Sequence, residues 1–238
     1  RSLVREQHTD PAAQLLQPLD AWARRWRTEA RASCDNAGAA LAAPQRRCLT
    51  EQLGKLTALA AELGRADVHA ESLAAIAALP DPRLCHLHQP WLEAWPAPLD
   101  EPDAAATREL LQRDLDAVWA QLALNRLGEI GDEAPKLLAR AKASGDLPMV
   151  AEAQLMLADV AAARGQMDVA AMAYAEAAKL AVASDHERVL FDAPTSGSPV
   201  VWSDDAGKPR YLALFPALGS EGEGASMTEI DCIVPFVD

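Results

Sequence analysis

The sequence predicts a mostly α protein, an array of helical hairpins with a small β-hairpin or meander at its C-terminal end. Three observations point there. Apolar residues recur every three to four positions through most of the chain up to Ala181, the period of a helix buried on one face. Alanine is abundant and aromatics make up only 5% of the chain; alanine is the strongest helix former and lets packed backbones approach closely. Beyond Asp185 the helical period stops, and β-prone runs separated by Gly and Pro replace it.

The elements follow in order. Asp10 and Pro11 read as the N-cap and first residue of a helix. Leu15, Leu19, Trp22, Trp26, Ala30 and Cys34 mark its buried face, Pro18 is placed to break or kink its start, and Asn36 and Gly38 end it. A second helix runs from about Pro44 to Gly64 with Cys48, Leu49, Leu53, Leu56, Leu59 and Leu63 as its stripe. A third spans about Asp67 to Leu79 and stops before Pro80. The Pro-rich stretch "LPDPRLCHLHQPWLEAWPAPLDEPD" reads as a boundary, with Trp91 and Trp95 on a short amphipathic turn. Helical periodicity returns at Ala104 and carries Leu110, Leu111, Leu115, Val118, Trp119, Leu122, Leu124 and Leu127. "GEIGDEAP" interrupts it, a shorter helix follows to about Ala143, "SGD" makes a turn, and Leu147 or Pro148 opens the next helix. Three parts result: an N-terminal helical region over 1–95, helical hairpins over 104–188, and a β-rich or partly ordered appendage over 189–238.

Composition excludes several classes. The chain has 238 residues, 50% of them hydrophobic and 24% charged, enough to bury a sizeable core. Its formal net charge of −13 opposes binding of phosphate backbones, so nucleic acid is not the expected partner. No apolar run reaches the ~20 residues that span a bilayer, and "RSLVREQHTD" holds no signal-peptide core. The absence of an initiator methionine reads as a segment of a longer chain. Its location is then left open between the cytoplasm and the soluble part of a membrane-anchored parent. The four cysteines Cys34, Cys48, Cys85 and Cys232 form no CxxC pair. Cys34, Cys48 and Cys85 are expected as buried free thiols in the N-terminal core, a disulfide between two of them being the alternative.

The stretch "AEAQLMLADVAAARGQMDVAAMAYAEAAKLA", from Ala151 to Ala181, is divided by Gly165 into two helices. Leu155, Leu157, Ala158, Ala161 and Ala162 line the first; Ala170, Tyr174 and Ala177 line the second. Small residues at Ala158, Ala170 and Ala177 allow the helices to nest, and Gly165 supplies the turn. With Gly165 at the fifteenth position, this spacing resembles the tetratricopeptide repeat (TPR), a helix–turn–helix of ~34 residues that stacks into an α-α superhelix. Gln154 and Ala161 stand at the fourth and eleventh positions, where the repeat consensus has aromatic residues, so the match is partial. A degenerate copy precedes it: Ala134, Leu138 and Ala141 lie 36 residues before Ala170, Tyr174 and Ala177, whereas Gly131 lies 34 before Gly165.

A wider resemblance covers roughly two thirds of the chain. The pieces "AWARRWRTEARASCDNAG", "QRRCLTEQLGKLTALAAELGRAD", "ALPDPRLC" and "SGDLPMVAEAQLMLADVAAARGQMDVA", in that order, resemble the TPR-rich C-terminal half of multidomain bacterial Ser/Thr protein kinases. The catalytic signatures are absent: the sequence has no GxGxxG loop, no HRD and no DFG. The resemblance therefore implies a non-catalytic region that recruits partners or receives signals, with no cofactor and a protein or peptide as partner.

Candidate sites follow from that expectation. In a repeat array the first helix of each pair lines the groove, which places Leu155, Asp159 and Ala162 there, with Asn125, 34 residues earlier, as the counterpart of Asp159. No catalytic residue is assigned: "TSGSP" lacks the GxSxG elbow, Asp204 and Asp205 suit a turn, and His8, His69 and His186 read as surface or helix-end residues. "CHLH" at Cys85, His86 and His88 is metal-like but lacks a second ligand pair, so no metal is expected. Beyond the repeats, "VVWSDDAGKPRYLALF" reads as a hairpin and "EIDCIVPFV" as a third strand, a cap for the last repeat. "GSEGEGAS" is an acidic loop whose Glu221 and Glu223 repel phosphate. The competing functional reading is a small-molecule or peptide sensor with a closed pocket between helices and β segment.

Overall fold

The computed structural model describes residues 11–35, 42–65, 70–85 and 101–184, together with 186, 189, 200–203 and 209–212. The described chain is mostly helical. In order it forms α1 (Pro11–Asp35), α2 (Ala42–Leu63), α3 (Ala70–Ala77), a 3-10 turn (Pro82–Cys85), α4 (Pro102–Ala123), α5 (Leu127–Ile130), α6 (Glu133–Ser144), α7 (Leu147–Ala163) and α8 (Met167–Ala183). The expected N-cap Asp10, the stop at Asn36 and Gly38, Asp67, and the Trp91–Trp95 turn lie outside the described residues. Two compact units emerge: residues 1–93 with 109–133, and residues 94–108 with 134–238. This grouping differs from the three-part division read from the sequence, because most of α4 belongs with the N-terminal helices.

In the first unit, Leu15, Trp22, Leu59, Ala75, Ile76, Leu79, Ala120 and Leu124 form one buried cluster, with Leu19, Trp26, Leu56, Leu63 and Trp119 packed partly buried against it. The two tryptophans also bond: Trp22 Nε1 donates to the Pro80 carbonyl and Trp26 Nε1 to the Leu49 carbonyl, both at 2.8 Å. Each indole thus contributes apolar area and satisfies its one donor. α1 runs unbroken through Pro18, which lies near the helix start, where proline removes one hydrogen bond rather than a central turn. Leu53 and Leu110, expected on buried stripes, are exposed at 37% and 47%; the buried arc of each helix is narrower than its leucine pattern.

Two polar contacts fix this unit. The buried Glu62 carboxylate receives Arg126 Nη1 on one oxygen and Arg65 Nη1 on the other, each at 2.8 Å. Arg126 Nη2 also donates to the Glu62 carbonyl at 3.3 Å near the end of α2. At Gly54, an added Cβ would stand 2.4 Å from Asp116 Oδ2. A larger residue there would have to displace the buried Asp116 carboxylate, which accepts a 3.2 Å bond from Gln112.

The expectation of free thiols is overturned for two cysteines. Cys48 and Cys85, both buried, form a disulfide with their Cα atoms 5.7 Å apart, joining α2 to the 3-10 turn. The turn after Pro80 brings them together across 37 residues, a proximity that spacing alone does not reveal. Cys34 is free but exposed rather than buried.

In the second unit, α7 and α8 form the expected helical hairpin. α7 begins at Leu147 with Asp146 as N-cap, whose side chain accepts from the Met149 N–H. Arg108 holds that carboxylate through a bidentate pair, with Nη2 2.9 Å from Oδ1. Gly165 makes the turn at φ +73°, a left-handed conformation that glycine adopts without a Cβ penalty. The Gly165 and Gln166 N–H groups donate back to the Ala162 and Ala161 carbonyls, both at 2.9 Å, closing the end of α7. Ala151, Leu155, Ala158 and Ala161 then meet Ala170, Ala173, Tyr174, Ala177 and Ala181 in one cluster, with Val189 included.

Beyond the helices, the backbone runs Val200–Ser203 and Pro209–Leu212 pair antiparallel, Val201 opposite Tyr211. Among the described residues no third strand joins this ladder, and two strands of four residues each are at the margin of independent order. It gives no support to the expected β-rich appendage as a folded part of the molecule. The third strand "EIDCIVPFV", Cys232, Asp204, Asp205 and the "GSEGEGAS" loop lie outside the described residues.

Candidate interaction surfaces

The four residues expected to meet a partner have different surroundings. Leu155 is 9% exposed and belongs to the α7–α8 cluster, so its side chain packs inside the hairpin and is not presented on an open groove. Ala162 is partly buried against the same cluster. Asp159 is half-buried and accepts a 2.8 Å bond from Tyr174 Oη, which makes it a link between the two helices rather than a solvated carboxylate. Burial and the adjacent Asp159 charge push the Tyr174 phenol well above its ordinary range. Asn125 is exposed in a left-handed turn at φ 56° after α4, a conformation that Asn tolerates better than most residues. It belongs to the first compact unit, the other three to the second.

Burial corrects the reading of His186. It is 1% exposed, and its Nε2 lies 2.8 Å from Glu152 Oε1 on α7. Its backbone N–H donates to the Ala181 carbonyl at 2.8 Å, which terminates α8. His186 is thus a buried closing residue of the hairpin, 34 positions from its partner, and nothing local in "ASDHERV" signals that. His8, His69, His86 and His88 lie outside the described residues, and the Cys85 thiol of "CHLH" is consumed by the disulfide.

What the hairpin leaves outward is apolar. Met167 is 55% exposed, Val169 45% and Met172 68%. Val169 and Met172, three residues apart, share the side of α8 turned away from the alanine core, with Met167 at its N-terminal end. Methionine is flexible and polarizable, and it adapts to varied partner surfaces.

A second surface lies on α1. Arg24, Arg27, Thr28 and Arg31 line a shallow, open notch. It runs along one helix; it is not an enclosed cavity between helices and a β segment.

No family model, curated protein or solved structure matches the chain. The likeness to tetratricopeptide repeats and to kinase-linked helical regions rests on the quoted residues alone. No helix among the described residues is long and apolar enough to cross a membrane.

Proposed function

We propose that this chain is a non-catalytic protein-interaction module, a scaffolding or sensory part of a larger bacterial signalling protein such as a Ser/Thr kinase. One observation carries the reading. The α7–α8 hairpin closes its inner side on alanines and leaves Val169 and Met172 exposed on its outer side, next to Met167. Its contact-ready groups are apolar surface rather than convergent nucleophiles, acids or bases. Its TPR-like spacing fits this role, since repeat hairpins present surfaces and not reaction centres. A β cap over the last repeat belongs to the same proposal.

The test uses the intact chain, immobilised as wild type and as Val169→Asp/Met172→Asp, with retained proteins quantified by mass spectrometry. A partner held by the wild type and released by the variant supports the module. Saturable, stoichiometric binding of a metabolite, with no protein partner sensitive to the variant, overturns it in favour of the sensor reading.

A further inference from the structure

The outer side of α1 carries a stripe of three arginines. Positions 24, 27, 28 and 31 are three, four and seven residues apart, the spacing of one helix side. Arg24, Arg27 and Arg31 are exposed, while Leu15 and Trp22 of the same helix are buried in the core. Thr28 is the short side chain among them and lies in the depression that they line; its hydroxyl donates back to the Arg24 carbonyl at 3.1 Å. The helix's other charges are engaged differently. Arg25 and Glu29 lie to one side of this line, and their charges are the smallest of the influences on Asp81 and Arg83. Asp20 and Asp35 stand on the same side one turn beyond either end, four residues from Arg24 and from Arg31. Three guanidinium groups therefore follow one another with no carboxylate between them, on a chain whose net charge is −13.

We propose that the Arg24–Arg27–Arg31 stripe docks an acidic helix of a partner protein, with carboxylates recurring every three to four residues. At a rise of 1.5 Å per residue the stripe extends about 10 Å. A helix with Glu or Asp at i, i+4 and i+7 repeats that span and places three carboxylates opposite three guanidinium forks, the geometry of bidentate pairing. The acidity of the whole chain does not prevent this approach, because charges more than about 8 Å away are screened at physiological salt. It does disfavour a nucleic acid, whose charge extends far past three contacts and meets the acidic remainder.

The experiment is fluorescence anisotropy of a labelled helical peptide bearing three such glutamates, titrated with the full chain. Binding is expected to saturate and to weaken about tenfold as salt rises from about 20 to 200 mM, as exposed charge pairs do. Arg27→Glu should weaken it at least about tenfold at low salt through like-charge repulsion. Arg46→Glu, an exposed position on α2, should leave it unchanged; thermal melts confirm that both variants fold. The proposal is overturned if the peptide fails to bind, if its glutamine analogue binds equally, or if the two reversals weaken it alike. Tighter binding of a single-stranded oligonucleotide of equal charge also overturns it. The stripe and the hairpin are tested separately, since Met172→Asp leaves α1 untouched.

Discussion

The first compact unit and the α7–α8 hairpin of the second hold their helices together differently. The first uses large side chains and crosslinks: Trp22, Trp26 and Leu59 in the core, the Cys48–Cys85 disulfide, and Glu62 clamped between Arg65 and Arg126. In the second, bulk is scarce where α7 faces α8, although the unit also buries Leu137, Met149 and Met156 and has the Arg108–Asp146 and His186–Glu152 links. Its hairpin core is chiefly alanine, with Tyr174 the largest side chain in it. Large side chains separate helix axes and leave room for polar bonds among them. Alanines bring backbones close, so stability there comes from contact area and from a turn that permits the approach. The difference predicts where each unit is vulnerable: the first to loss of a partner group, the second to added volume.

The largest expected effect comes from breaking the buried clamp. Arg126→Ala leaves the Glu62 carboxylate, 6% exposed, with only the exposed Arg65, and the loss of one member of a buried pair costs about 3–5 kcal/mol. Urea unfolding of the variant measures it; a loss below about 1 kcal/mol would place the pair with ordinary surface ion pairs. Removal of the disulfide comes next. A loop of 37 residues corresponds to roughly 4 kcal/mol of unfolded-state entropy. Cys48→Ala/Cys85→Ala, or reductant, should lower the unfolding midpoint and the hydrogen-exchange protection of α2. Amides of α7 and α8 should keep theirs.

The hairpin is probed by volume. Ala177→Leu places a larger side chain at a position with 0% exposure and should cost about 1–3 kcal/mol through overpacking. The same change at exposed Ala171 should stay within about 0.5 kcal/mol. Equal costs at the two sites would contradict close alanine nesting.

The smallest effects are pH-dependent and differ in sign. Tyr174 is raised above its ordinary value of 10.0 by burial and by Asp159. Its contribution is complete below pH 10 and is lost as pH climbs toward the folded value, so alkaline titration should weaken the hairpin, and Tyr174→Phe should remove that dependence. Asp81 is lowered below 3.8, chiefly by its bond with Arg83. Its contribution is present above that value and fades as pH falls through the folded one. Both partners are about a third exposed or more, so Asp81→Asn should lower a melt near neutral pH only slightly, and that difference should vanish in acid.

Legibility in the sequence varied from residue to residue. Gly165 and "SGD" marked their turns because a left-handed residue before a new helical period leaves few alternatives, and Leu147 opened α7 where expected. Ala158, Ala170 and Ala177 were readable as contact residues from spacing. Asn125, Leu155, Asp159 and Ala162 were chosen by repeat position, which does not say whether a side chain points outward or into its own hairpin; Leu155 packs inward and Asp159 binds Tyr174. The arginine stripe was open to view in "RRWRTEAR", yet charges on a helix are ordinarily solvated, and only the core on the opposite side of α1 identifies Arg24, Arg27 and Arg31 as its outer side.

From the sequence alone came the helical class, the hairpin about Gly165 and the acidic balance, since each follows from local period, backbone freedom or a sum over residues. The tertiary structure decided the Cys48–Cys85 bond, the Arg126–Glu62 clamp across 64 residues, the burial of His186 against Glu152, and the membership of α4 in the N-terminal unit. Those are meetings of residues far apart along the chain. A periodic pattern specifies which side of a helix is buried, but not which distant side chain it will find there.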